Sequence, residues 1–101
     1  MEDNQIIELL ASEFNTLDKE VQYALDKWID TLVVSDEYNY NHTSYGLAKC
    51  FEKVSSTIGK PYCLKNDQLK YAMYQKGFIP DDITEENWCF KLAEKQAFNW
   101  E

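Results

Sequence analysis

The chain contains no arginine, and all ten of its basic residues are lysines. The most common specific contact to DNA, a guanidinium fork on a guanine edge, is therefore excluded. Histidine is nearly absent too. With His42 alone, a Ser-His-Asp set has a single possible base, and a Cys-His pair would need that residue beside one particular cysteine. The three glycines form no phosphate-binding loop, and with only two prolines there is little room for linkers or disorder. Cys50, Cys63 and Cys89 are 13 and 26 residues apart, with no Cys-x-x-Cys pair. They read as small apolar thiols of a reduced protein, with no metal site and no cofactor expected. No apolar run approaches the length of a membrane span. The start, Met1-Glu2-Asp3-Asn4, is acidic where a secretion signal would be basic, so a cytoplasmic location is expected.

What the chain does have is 45% hydrophobic and 15% aromatic residues, enough for one core, and an uneven charge. Met1 to His42 hold ten acids and two lysines, Thr43 to Lys76 two acids and six lysines, and Gly77 to Glu101 six acids and two lysines. A lysine-bearing middle lies between two acidic flanks in a chain of net charge −8.

Apolar periodicity predicts the elements. Asp3 or Asn4 caps a first helix with a stripe of Ile6, Ile7, Leu9, Leu10 and Phe14. Thr16 caps a second, burying Leu17, Val21, Leu25, Trp28 and Leu32 and showing Asp18, Gln22, Asp26 and Asp30 on its other face. Residues 1–35 thus form an acidic helical hairpin, closed by turn chemistry over Ser35–Asn41. Thr43 or Ser44 caps a third helix carrying Leu47, Phe51, Val54 and Ile58. The sequon Asn41-His42-Thr43 has no meaning in the cytoplasm, and Thr43 serves better as that cap. Tyr62-Cys63-Leu64 reads as a short strand. A fourth helix follows over Asp67–Lys76, begun by Asn66 and ended by Gly77. Phe78-Ile79-Pro80 reads as a strand, Asp81–Asn87 as a loop and Trp88–Leu92 as an alternating strand. The tail 93–101 suits a helical turn or two, pinned by Phe98 and Trp100.

The expected fold is therefore one α+β domain, mostly helical. The hairpin packs on a winged helix-turn-helix-like module over residues 43–92 with a small antiparallel sheet.

The runs Asn41-His42-Thr43-Ser44-Tyr45-Gly46-Leu47, Phe51-Glu52, Asn66-Asp67-Gln68-Leu69-Lys70-Tyr71-Ala72-Met73, Gly77-Phe78 and Asn87-Trp88-Cys89-Phe90 resemble a motif chain. It belongs to a family of small phage and integrative-element proteins of Firmicutes. The resemblance covers about half the chain. It implies a mobile-element origin, a bacterial host cell and a compact helical module with a wing, and it implies no activity.

Two functions compete. If Leu69, Ala72 and Met73 face the core, helical geometry turns Lys70, Tyr71 and Tyr74 outward, and with Lys65 and Lys76 they could contact double-stranded DNA as a regulator would. Net charge −8 and the missing arginines oppose this. The acids suggest the opposite: Asp30, Asp36, Glu37, Asp81, Asp82 and Glu85, with Tyr38 among them, imitate a nucleic-acid backbone and grip a basic host protein. An acidic surface that only maintains solubility is the plain alternative, and a dimeric adaptor is a third. The leading expectation is a non-enzymatic inhibitor of a host nucleic-acid-handling machine, a DNA mimic of which an anti-CRISPR protein would be one form.

Overall fold

The structure, a computed structural model, describes residues 2–96. It is α+β and mostly helical. Among the described residues the elements run α1 (Asp3–Phe14), α2 (Lys19–Ile29), β1 (Val34–Thr43), α3 (Ser44–Thr57), α4 (Asn66–Gln75) and β2 (Cys89–Leu92), with β1 and β2 antiparallel.

The helical stripes bury most of what their spacing predicts, although Ile58, expected on the third stripe, falls just past the end of α3 and is 42% exposed. In α1, Leu10 and Phe14 are buried and Ile6 and Ile7 half-buried, whereas Leu9 lies off the stripe and is 55% exposed. Leu25, Trp28 and Ile29 of α2 meet Leu47, Ala48 and Phe51 of α3 and Leu69, Ala72 and Met73 of α4 in one core. Each of the large side chains contributes roughly 1.5–3 kcal/mol by leaving water. The two N-terminal helices pack chiefly on α4 rather than on one another, so the expected hairpin is opened around α4.

Some caps differ from expectation. Thr43 does cap α3, its hydroxyl accepting from Gly46 N–H at 3.1 Å. Thr16 does not cap α2, whose first turn is preceded by Asp18; the Thr16 hydroxyl donates back to the Glu13 carbonyl at 2.7 Å. Asn66 is the first residue of α4 and reaches across the chain, donating to the Glu86 carbonyl and to Asn87 Oδ1, both at 3.0 Å. Gly77, at φ +96°, supplies the left-handed step after α4.

The sheet is where the structure departs most from the sequence reading. Ser35–Asn41 is part of β1, not the turn that ends a helix. Its turn chemistry survives as irregularity. Ser35 Oγ accepts from Glu37 N–H and Asn39 Oδ1 from Asn41 N–H, and register shifts fall on either side of Asn39, so ten residues of β1 span four of β2. Tyr62–Leu64 is not a strand, because its backbone donors are taken locally: Tyr62 N–H by the Lys60 carbonyl and Leu64 N–H by the Glu52 carboxylate at 2.7 Å. Phe78–Pro80 is not one either, since Pro80 has no N–H to donate. Only Asp81 N–H reaches Cys89 O, at 3.1 Å. The wing hairpin is thus reduced, among the described residues, to one backbone–backbone bond, and β2 pairs instead with β1, upstream of α3.

The ladder continues at the start of α3. There Ser44 N–H donates to the Trp88 carbonyl at 2.8 Å and Trp88 N–H to Ser44 Oγ at 2.9 Å. Residues 93–96 form no helical turn; Gln96 clasps the backbone of Val33 through both its side-chain oxygen and nitrogen. Phe98 and Trp100, the expected pins of the tail, lie outside the described residues.

Candidate protein-binding face

Of the six lysines of the middle block, Lys70 is buried and Lys49, Lys60, Lys65 and Lys76 stand within 4.0 Å of an acid, while Lys53 is exposed. Lys70 is the clearest correction, because it was expected outward and is 5% exposed. Its ammonium donates to the Glu85 and Glu86 carbonyls at 3.3 and 3.0 Å, stands 3.8 Å from Asp67 and lies 4.8 Å from the centre of the Trp88 ring. Burial pushes its pKa down, while Asp67 and Glu86 pull it back up. Lys76 bonds Asp30 at 2.6 Å and Asp26 at 3.1 Å, and the bond to Asp30 is the main reason its pKa is raised. Lys65 is exposed and lies 3.6 Å from Glu13. Tyr71 and Tyr74 are half-buried, their rings 5.4 Å from Phe14 and 6.4 Å from Trp88. Among these five candidates for nucleic-acid contact, only Lys65 projects a cation into solvent.

The acids behave differently, with one exception. Asp30 ties the end of α2 to the end of α4 through Lys76. Changing Lys76 to Met should destabilise the fold by about 0.5–1 kcal/mol, a modest loss because both pairs are partly solvated, read from the midpoint of a urea titration. Asp36 and Glu37 are exposed on β1 and form no salt bridge among the described residues. Tyr38 turns back. It is half-buried, its hydroxyl 3.5 Å from the Pro80 carbonyl, with the Lys91 ammonium 5.3 Å from its ring centre. Tyr40, by contrast, is 67% exposed.

Through Tyr38 and Pro80, the Asp36–Glu37 stretch comes beside the acidic loop. Asp81, Asp82, Glu85 and Glu86 are all exposed there. Asp81 Oδ1 accepts from Cys89 N–H at 3.0 Å, so this carboxylate also holds the loop on β2. Asp82 accepts from the Thr84 hydroxyl and N–H, and these bonds lower its pKa and keep it ionised. Lys70, buried beneath, grips the Glu85 and Glu86 carbonyls and leaves their carboxylates to solvent. The Tyr38–Pro80 contact thus brings β1 next to Asp81, while Glu85 and Glu86 lie farther along the loop, over Lys70 and Asn66 of α4.

The residues missed from sequence are exposed apolar ones: Val34 and Ile79, both 61% exposed, and Val33, 50% exposed. Their only signal was that neither Val33-Val34 nor Phe78-Ile79 fits a buried stripe. As for other chemistry, Cys89 is buried, Cys50 half-buried and Cys63 exposed, and all three are free thiols. Burial raises the pKa of both Cys50 and Cys89, which disfavours the nucleophilic thiolate. Among the described residues no three of the His, Cys, Asp and Glu side chains are grouped to hold a metal ion, and no helix is long and apolar enough to cross a membrane. No family model, curated protein or solved structure matches the chain.

Proposed function

We propose that this chain is a non-enzymatic binding protein of a phage or other mobile element, and that it inhibits a host nucleic-acid-handling machine by occupying its basic nucleic-acid-binding surface. An anti-CRISPR protein would be one form of such an inhibitor. The observation that carries this reading is the opposite fate of the two charge types. Lys70 of α4 is buried and Lys76, just after it, is paired with Asp30, while Asp36, Glu37, Asp82 and Glu85 hold their carboxylates in solvent. Carboxylates presented this way draw in a basic groove over a Debye length of about 8–10 Å and exclude the phosphates that groove would otherwise hold.

The test uses Asp36→Lys, Glu37→Lys and Glu85→Lys together, sparing Asp81 because its carboxylate holds the loop on β2. Purified protein should slow DNA cleavage by a susceptible RNA-guided nuclease drawn from a panel. The triple variant should inhibit on the order of tenfold to a hundredfold more weakly, as expected for three reversed exposed pairs. Inhibition that survives the reversal sinks the reading.

The rival reading, a DNA-binding regulator using Lys65, Lys70, Tyr71, Tyr74 and Lys76, is addressed in the same preparation. Mixed-sequence duplex DNA should show no mobility shift even at about 50 mM salt, where phosphate contacts are strongest. A shift abolished by Lys65→Glu would establish the regulator instead.

A further inference from the structure

A depression of about 400 Å3 lies between β1 and the chain leaving β2, and Glu37, Tyr38, Tyr40, Asn41, Leu92 and Glu94 are among the residues that line it. The volume is near the lower end of the roughly 300–1,000 Å3 typical of ligand pockets, so it suits one long side chain and is too small for a helix. Glu37 and Glu94 are the only charged residues of the lining, and no lysine joins them. Two carboxylates by themselves are ordinary solvated surface, and among the described residues no third His, Cys, Asp or Glu is grouped with them to hold a metal ion.

Two observations set this pair apart. Glu94 is positioned before any ligand arrives: its Oε1 accepts from Asn41 Nδ2, its carbonyl accepts from His42 Nε2 at 2.7 Å, and the same ring nitrogen stands 3.5 Å from Oε2. A group already held in place costs less entropy to bind. The second observation is the tyrosines. Tyr38 already carries a cation, the Lys91 ammonium at 5.3 Å from its ring centre, whereas Tyr40 is 67% exposed in the same lining. A ring beside carboxylates holds a cation through its quadrupole as well as through charge. A guanidinium uses both at once, because it stacks flat on an aromatic ring while its N–H groups reach carboxylates in its plane. The chain has no arginine, so a second copy cannot bring that group.

We infer that this depression is an arginine slot: it receives one arginine side chain of the protein partner, whose guanidinium lies against Tyr40 and pairs with Glu37 and Glu94. The inference rests on the proposed function and names what the chain selects in a basic surface. Exposed acids attract any polycation, and the slot prefers arginine to lysine.

The experiment is an NMR titration of the full chain at about 50 mM salt with end-blocked glycine peptides that carry one central arginine, lysine or citrulline, the uncharged analogue of arginine. The arginine peptide should bind about tenfold more tightly than the citrulline peptide and about threefold more tightly than the lysine peptide. The largest shifts should fall at Glu37, Tyr40, Asn41 and Glu94. The double variant Glu37→Gln, Glu94→Gln removes both charges but keeps an oxygen for Asn41, so it should retain the native fold while arginine loses its advantage over citrulline. Tyr40→Ser should leave arginine bound no better than lysine. Equal binding of arginine with citrulline or with lysine by the native chain, no binding of any peptide, or arginine binding untouched by the double variant overturns the slot. The proposed function is read separately. A chain that binds arginine in this way yet inhibits no nuclease loses that function and keeps the slot, whereas full inhibition by the double variant keeps the function and removes the slot.

Discussion

Replacing Trp88 by alanine is expected to destabilise the protein by about 4 kcal/mol, a large part of the roughly 5–15 kcal/mol that a domain of this size has. The indole is fully buried. It meets Tyr74 and Phe90 at 6.4 and 6.2 Å, and its N–H donates to the Ile83 carbonyl at 3.2 Å. Alanine would leave a cavity between α4 and β2 and free the Ile83 carbonyl at the root of the acidic loop. It would also strip Lys70 of the ring beneath its ammonium. The melting temperature, followed by circular dichroism, should fall by about 20 °C. A fall of less than about 8 °C would mean that the surrounding side chains close over the gap and that the ring is not what joins helix, strand and loop.

The second large effect is expected at Lys70. Alanine there should lower stability by about 3 kcal/mol, because hydrogen bonds from a buried ammonium are each worth more than neutral ones and two loop carbonyls depend on this one group. Methionine keeps most of the packing but none of the donors, and it removes the penalty of burying a charge, so it should recover roughly half of that loss. Urea midpoints of the two variants separate packing from hydrogen bonding. Combined with Trp88→Ala, the losses should fall short of additive by about 1 kcal/mol, since cation and ring act partly through each other. Strict additivity would show that Lys70 acts on the loop alone. A Lys70→Ala variant as stable as the native chain would return this residue to the solvent-facing role its sequence position suggests.

That contrast shows where sequence reading succeeded and where it stopped. Helices α2 and α3 each have one clear apolar stripe and one core face, so Leu25, Trp28, Leu47 and Phe51 were readable by spacing alone. Thr43 and Gly77 were readable because their chemistry at a helix end is local. Helix α4 was readable in its extent and in its core residues Leu69, Ala72 and Met73, but not in Lys70, since the helix is enclosed by α1, α2, α3 and the loop before β2 and has little solvent face for periodicity to find. A lysine in such a helix looks exposed until the carbonyls that accept from it are in place. Strand β1 was unreadable for a related reason: its polar residues match the chemistry of turns, and only its distant partner β2 makes it a strand. The acids Asp36, Glu37, Asp81 and Asp82 were legible as charges, but where the strand and the loop carry them depends on that same distant pairing.

The pairing of β1 with β2 joins residues near position 34 to residues near position 92. Loop closure over such a separation is slow and entropically costly. Made without β2, β1 has no partner for its ladder. In a chain synthesised from its N-terminus, the sheet therefore closes only after all four helices have been made, and the polar residues of β1 wait as turn-forming sequence until then.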